Sequence, residues 1–254
     1  MKQYGLIGYP LTHSFSKNYF SAKFEKEGIK DCQYDLFEIE SVEALPALLA
    51  TTPGLCGLNV TIPHKQAVLP LLNDLDDASA RRIGAVNTIK VYPDGSTKGF
   101  NTDYYGFMES LAEWLDHRAE TDPDLRALVL GNGGAARAVM TALEDLRIPF
   151  TLVSRQATEG ALSYEELTDD VMIANRLIIN TTPLGMYPKT EVAPPIPYAL
   201  LTRHHLLYDL VYNPLETLFL KKGAERGAAN HSGLKMLHLQ AEKAWEIWNS
   251  EDDL

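Results

Sequence analysis

Short apolar runs alternate with amphipathic stretches through the first part of the chain. Tyr4–Gly8 reads as a strand, a loop to Ser14 and an amphipathic helix ending near Gly28 follow, and Tyr34–Ile39 reads as a second strand. Glu43–Ala50 has a helical pattern, Leu55–Thr61 that of a buried strand, and Pro63–Leu72 that of a helix with proline at its first position. This βαβαβα order is the grammar of a parallel sheet. Val86–Val91 and Thr97–Asn101 then flank Pro93-Asp-Gly-Ser96, a hairpin turn, and Asp103–Leu115 reads as a helix. The polar segment Asp116–Asp124, which carries a proline and no periodicity, reads as a linker. Beyond it, strands are expected at Ala127–Leu130, Phe150–Val153, Leu177–Asn180 and Leu206–Leu210, with a helix at Ala135–Leu146. A last helix near Lys235–Asn249 fits either half.

The strand at 127–130 feeds Gly131-Asn132-Gly133-Gly134-Ala135-Ala136-Arg137, the G-x-G-x-x-A pattern of a dinucleotide-binding turn. One glycine permits the tight turn, the next lets backbone N–H groups approach a pyrophosphate, and Ala136 lets helix and strand pack closely. The motif lies halfway along 254 residues, which favours two domains and leaves about half the protein before it free to hold a second ligand. In such folds an acidic residue at the end of the second strand grips the ribose of NAD, whereas a basic one meets the 2′-phosphate of NADP. Here Thr151-Leu-Val153 runs into Ser154-Arg155, which favours NADP, with an ordinary surface arginine as the alternative.

Composition narrows the field. Hydrophobic residues make up 45% and charged residues 22%, as in ordinary globular proteins, and no apolar stretch reaches membrane-spanning length. A net charge of −11 has the wrong sign for nucleic-acid binding. The N-terminus lacks a basic-then-apolar signal pattern, and Cys32 and Cys56 fit no metal spacing, so a cytoplasmic chain without a metal is expected. Monomer and homodimer both stay open.

Reduction of a ketone builds negative charge on oxygen, so the first half must supply a proton donor. Lys65, in Asn59-Val-Thr61-Ile-Pro63-His-Lys65, falls in the first turn of the helix expected at 63–72, where the positive end of the dipole disfavours a charged amine and suits proton exchange. A solvated surface lysine is the commoner alternative. Asp103 stands where a strand gives way to a helix; it reads as an N-cap or as the carboxylate partner of Lys65. His13 and His64 have no metal-like spacing and read as bystanders.

Taken together and in this order, these segments resemble the shikimate dehydrogenase family over nearly the whole chain. Gly8-Tyr-Pro10-Leu-Thr-His13-Ser14-Phe-Ser16 is similar to a first loop whose two serines bind the substrate carboxylate, which implies Ser14 and Ser16. The resemblance further implies Lys65 as the catalytic lysine with Asp103 as its partner, Thr61 on the ring hydroxyls, and Asn87 of Gly84-Ala-Val-Asn87-Thr88 as substrate-binding. Asn180-Thr-Thr182-Pro-Leu-Gly-Met186 resembles the family's post-strand motif. Tyr212 of Asp209-Leu-Val-Tyr212-Asn-Pro214 would face substrate, Gly233 would approach nicotinamide, and Gln240 would bind substrate. The implied architecture is two α/β domains: a mainly parallel substrate domain over 1–103, joined by the helix 236–254, and a doubly wound Rossmann-type NADP domain over 104–235. The implied activity is NADPH-dependent reduction of 3-dehydroshikimate to shikimate, in aromatic amino-acid biosynthesis.

The chain departs from the family pattern at Lys17, Phe20 and Ser21, and at Asn132 in the glycine loop. It also carries Ser154-Arg155-Gln156 where Asn-Arg-Thr is usual, so a weaker cofactor preference is expected. Two alternatives follow from these changes: a quinate/shikimate dehydrogenase that tolerates NAD, and a nucleotide-binding sensor that has lost turnover.

Overall fold

The computed structural model describes residues 1–11, 15–118 and 122–251. The chain forms two compact units, Met1–Thr102 with Ala241–Leu254, and Asp103–Gln240.

In the first unit, β1 (Lys2–Gly8), α1 (Phe15–Glu27), β2 (Cys32–Glu38), α2 (Leu45–Thr51) and β3 (Leu55–Val60) follow the expected alternation. The short β4 (Asp74–Leu75) and the hairpin β5 (Thr88–Val91) and β6 (Thr97–Phe100) complete a sheet of order β2-β1-β3-β5-β6-β4. β1 pairs in parallel with β2 and β3, and β5 is antiparallel to β3 and β6. The helix expected at 63–72 does not form; turns lead into a single 3-10 turn at Leu69–Leu71. Pro70 is the reason. It has no N–H for an i→i−4 bond and disfavours the α conformation at Leu69, leaving too few residues after Pro63 to propagate a helix.

In the second unit, α3 (Thr102–His117) precedes β7 (Ala127–Leu130), α4 (Gly134–Asp145), β8 (Phe150–Ser154), β9 (Ala161–Ser163), α5 (Asp169–Ala174), β10 (Leu177–Asn180), β11 (Leu206–Asp209), α6 (Leu218–Glu225) and β12 (Ala229–Ser232). All six strands are parallel, in the order β12-β11-β10-β7-β8-β9. This is the doubly wound arrangement, and strand order reverses between β7 and β10, where such sheets bind nucleotides. The segment 116–124 is not a linker between the units, because α3 already belongs to the second. Its Ser110 accepts a hydrogen bond from Tyr208 at 2.8 Å, and Phe107 and Trp114 pack their rings on Tyr208.

The last helix, α7 (Leu234–Asn249), begins in the second unit and ends in the first. There Trp248 stacks on Tyr4 at 4.9 Å and donates its indole N–H to the Ile89 carbonyl at 2.9 Å. Gly57 is glycine because a Cβ would collide with that indole.

Candidate active site

Register gathers the polar residues of the first unit at one end of its sheet. Gly8 pairs with Glu38 and Ile7 with Val60, so β1, β2 and β3 end together. The antiparallel pairing of Asn59 with Thr88, and of Thr88 with Phe100, brings the start of β5 and the end of β6 to the same edge. Thr61 is held by its N–H on the Ile7 carbonyl at 2.9 Å, and His64 by its N–H on the Thr61 carbonyl at 2.9 Å. The His64 ring is buried, with Nε2 2.7 Å from the Ile39 carbonyl, and the Lys65 carbonyl accepts the Val86 N–H at 2.7 Å. Lys65 is thus half-buried on a segment pinned by hydrogen bonds to three neighbouring stretches. With no α-helix at 63–72, the dipole expected from that helix is absent.

Beneath this edge runs a buried hydrogen-bond chain. Ser16 donates to the Tyr34 hydroxyl, which donates to Asn59 Oδ1 at 2.7 Å. Asn59 Nδ2 reaches Thr88 Oγ1 at 3.2 Å, and Thr88 Oγ1 in turn donates to Asn87 Oδ1 at 3.2 Å. Asn87 then holds Thr102 from both sides: Nδ2 donates to Thr102 Oγ1 at 3.0 Å, and Oδ1 accepts the Thr102 N–H at 2.6 Å. Burial pushes the Tyr34 phenol well up, so it stays a donor. Tyr34→Phe leaves the buried Asn59 acceptor without its donor, a loss of about 1–3 kcal/mol. A melting point lowered by several degrees, together with a raised KM for the substrate, is the expected result of calorimetry and steady-state rates.

In the second unit, Gly131, Asn132, Gly133, Ser154, Arg155, Tyr164, Thr181, Thr182, Pro183, Leu184 and Pro195 line a pocket of about 690 Å³ at the switch point. Gly131 has φ +108°, and a Cβ there would press into the side chains of Thr181 and Thr182. A Cβ at Gly133 or Gly134 would project into open space, so the backbone at the start of α4 is left uncovered, and no side chain caps that helix. Uncapped N–H groups at a bare helix start, with an arginine and no carboxylate at the end of β8, are a donor set that fits a dinucleotide carrying a 2′-phosphate.

The family model for the shikimate dehydrogenase substrate-binding domain matches residues 6–89. A shikimate dehydrogenase (NADP(+)) of Clostridium beijerinckii is 41% identical over 260 residues, covering 98% of this chain and 92% of its own. That of Methanosphaera stadtmanae is 36% identical, covering 97% and 91%. The chain belongs to the shikimate dehydrogenase family. Among solved structures, the Thermus thermophilus shikimate 5-dehydrogenase in complex with NADP(H) and shikimate superposes with a TM-score of 0.82 at 31% identity, covering 98% of this chain and 94% of that one.

Of the residues the family resemblance points to, Ser14 lies outside the described residues. Ser16, Thr61, Lys65 and Asn87 share the sheet edge of the first unit. Asp103 follows Thr102 within the first turn of α3, so it is not that helix's N-cap; a carboxylate there is favoured by the positive helix end. Gly131, Asn132, Gly133, Ser154 and Arg155 line the second unit's pocket, while Gly134 and Ala135 form the first turn of α4 behind it. The Ser154 hydroxyl is turned to its own loop, donating to the Gln156 carbonyl. Gly233 has a packing reason as well, since a Cβ would run into the Leu210 carbonyl. Tyr212 is half-buried, which raises its phenol, and Gln240 donates to the Leu237 carbonyl at 2.9 Å.

The wall opposite the glycine loop rests on Asp209. Its carboxylate accepts from Asn180 Nδ2 at 2.9 Å, from Thr217 Oγ1 at 2.5 Å and from the Val211 N–H at 3.0 Å, and Asn180 Oδ1 in turn accepts the N–H and hydroxyl of Thr182. Burial outweighs these donors and raises the carboxyl to about 6. Between the unfolded value of 3.8 and about 6 the folded state holds a proton that the unfolded chain has lost. This group's contribution to stability is therefore full below the unfolded value and is lost as pH rises through about 6. A carboxyl NMR titration of Asp209 should show a midpoint near 6; a midpoint in the ordinary aspartate range would mean the three donors prevail.

Proposed function

We propose that this shikimate dehydrogenase family member catalyses the reversible NADPH-dependent reduction of 3-dehydroshikimate to shikimate, with Lys65 as the group that exchanges the proton. The observation that carries this reading is the convergence of Ser16, Thr61, Lys65 and Asn87 on one sheet edge, braced by the buried chain from Ser16 to Thr102. NADPH supplies the hydride when bound. The Lys65 ammonium gives its proton to the oxygen as negative charge grows there, and takes it back in shikimate oxidation. Asp103 orients the lysine and the reacting hydroxyl. Ser14 and Ser16 hold the carboxylate; Thr61, Asn87, Tyr212 and Gln240 fix the ring hydroxyls, which is what a near-attack geometry demands. The backbone from Gly131 to Ala135 holds the pyrophosphate, Ser154 and Arg155 the adenosine end, and Gly233 lets nicotinamide come close.

The first unit with its returning C-terminal helix is then the substrate domain, and the second the NADP domain. Two free thiols, Cys32 and Cys56, suit a reducing cytoplasm.

Absorbance of reduced nicotinamide, followed with shikimate or quinate and with NADP⁺ or NAD⁺, tests the reading. Shikimate with NADP⁺ should give the highest kcat/KM of the four pairs. Cofactor binding with no turnover of either substrate would leave a nucleotide-binding sensor instead.

A further inference from the structure

Parallel neighbours in a sheet are ordinarily joined by a crossover of about a dozen residues or more, most often a helix. β8 and β9 are parallel neighbours joined only by residues 155–160. The connection is drawn tight by Thr158 and Ala161, which exchange backbone hydrogen bonds at 3.0 Å, and by Gly160, whose φ of +83° only glycine adopts freely.

This short return has a consequence for the pocket. Ser154 pairs in register with Ser163, so Arg155 and Tyr164 are the first residues beyond two adjacent strand ends. Both line the same cavity. Tyr164 is held in place by a capping box, in which the Ser163 N–H and hydroxyl both donate to Glu166, at 2.7 and 3.0 Å. Its ring packs against the sheet's hydrophobic core, and its hydroxyl makes no hydrogen bond among the described residues. Meanwhile Ser154, the nearest hydroxyl on β8, is engaged with its own loop.

From this placement, and resting on the NADP reading above, we infer that Tyr164 is a cofactor-discriminating residue, its phenol donating to the 2′-phosphate that Arg155 also meets. Burial raises the Tyr164 phenol while the Arg155 charge pulls it back, so the two groups sense each other and the phenol keeps its proton. A neutral donor beside a cation suits a phosphate, whose charge strengthens the bond, and offers a free ribose hydroxyl only a weaker, neutral one.

The test is Tyr164→Phe in the full-length protein, with NADP⁺ and NAD⁺ binding measured by titration calorimetry. The ring keeps its packing and only the hydroxyl is lost. Removing one donor to a charged acceptor should weaken NADP⁺ by about tenfold while NAD⁺ changes by less than about twofold. An unchanged NADP⁺ affinity, or equal losses for both cofactors, would overturn the assignment with the NADP reading intact. Failure of the unsubstituted protein to bind NADP⁺ would overturn both.

Discussion

Replacing Lys65 with alanine should lower kcat for shikimate oxidation by about 10²–10⁴-fold, the range that a general acid–base group supplies. The expectation of a clean kcat effect comes from how the segment is held. Thr61 hangs from Ile7, the His64 ring reaches the Ile39 carbonyl, and the Lys65 carbonyl receives the Val86 N–H, so none of these ties uses the lysine side chain. Truncation removes the proton carrier while these ties remain in place. Stopped-flow and steady-state rates should show the loss in kcat, and calorimetry should show shikimate binding changed by far less. If kcat drops by less than about tenfold, the proton travels by another group and the acid–base assignment of Lys65 is wrong.

The second large effect is expected at Arg155. A guanidinium that meets a 2′-phosphate contributes about 1.5–3 kcal/mol through charge-assisted hydrogen bonds, or roughly ten- to a hundredfold in affinity. Arg155→Gln should weaken NADP⁺ by that amount. NAD⁺ should shift by no more than about twofold, because the residue is exposed and supports no core packing. Equal losses for both cofactors would instead make Arg155 a stacking surface for adenine, and the preference for NADP would have to come from elsewhere in the pocket.

Much of the fold was legible because local pattern and tertiary role agreed. Ala127–Leu130 and Leu177–Ile179 are continuous apolar runs, and both strands, the second ending at Asn180, are buried along their whole length, as central parallel strands must be. The glycine loop was legible because backbone chemistry needs glycine at fixed spacing. Elements whose identity depends on neighbours were not. β9 is three residues long, and β12, Ala229-Asn-His-Ser232, is too polar to read as a strand until β11 pairs with it. The apolar periodicity of 63–72 predicts a helix, but Pro70 within it decides the backbone.

The site divides in the same way. Ser16, Lys65, Asn87 and Arg155 stand at predicted strand ends or in dispersed motifs, so the chain order carried them. Thr181 and Thr182 could have been added by the same logic, since they directly follow a strand at the switch point. Tyr34 and Asn59 give no such signal: a tyrosine and an asparagine inside strands look like ordinary packing until register places them side by side. Phe20, a departure from the family pattern, is explained by that same cluster. It is fully buried and stacks on Tyr34 at 4.7 Å, while Ser21 faces solvent and Lys17 pairs with Asp35 at 3.3 Å. The substitutions that suggested a sensor therefore support the buried hydrogen-bond chain or lie on the surface.

The dependence of Tyr4, Gly57 and Ile89 on Trp248 sets an order for biogenesis. Domains generally complete themselves in the sequence in which they leave the ribosome. Here the unit begun first is finished last, since residues 241–249 are made only after every strand of the second unit. The nascent substrate domain must wait with its aromatic core open, and the domain that captures the nucleotide is the earlier to mature.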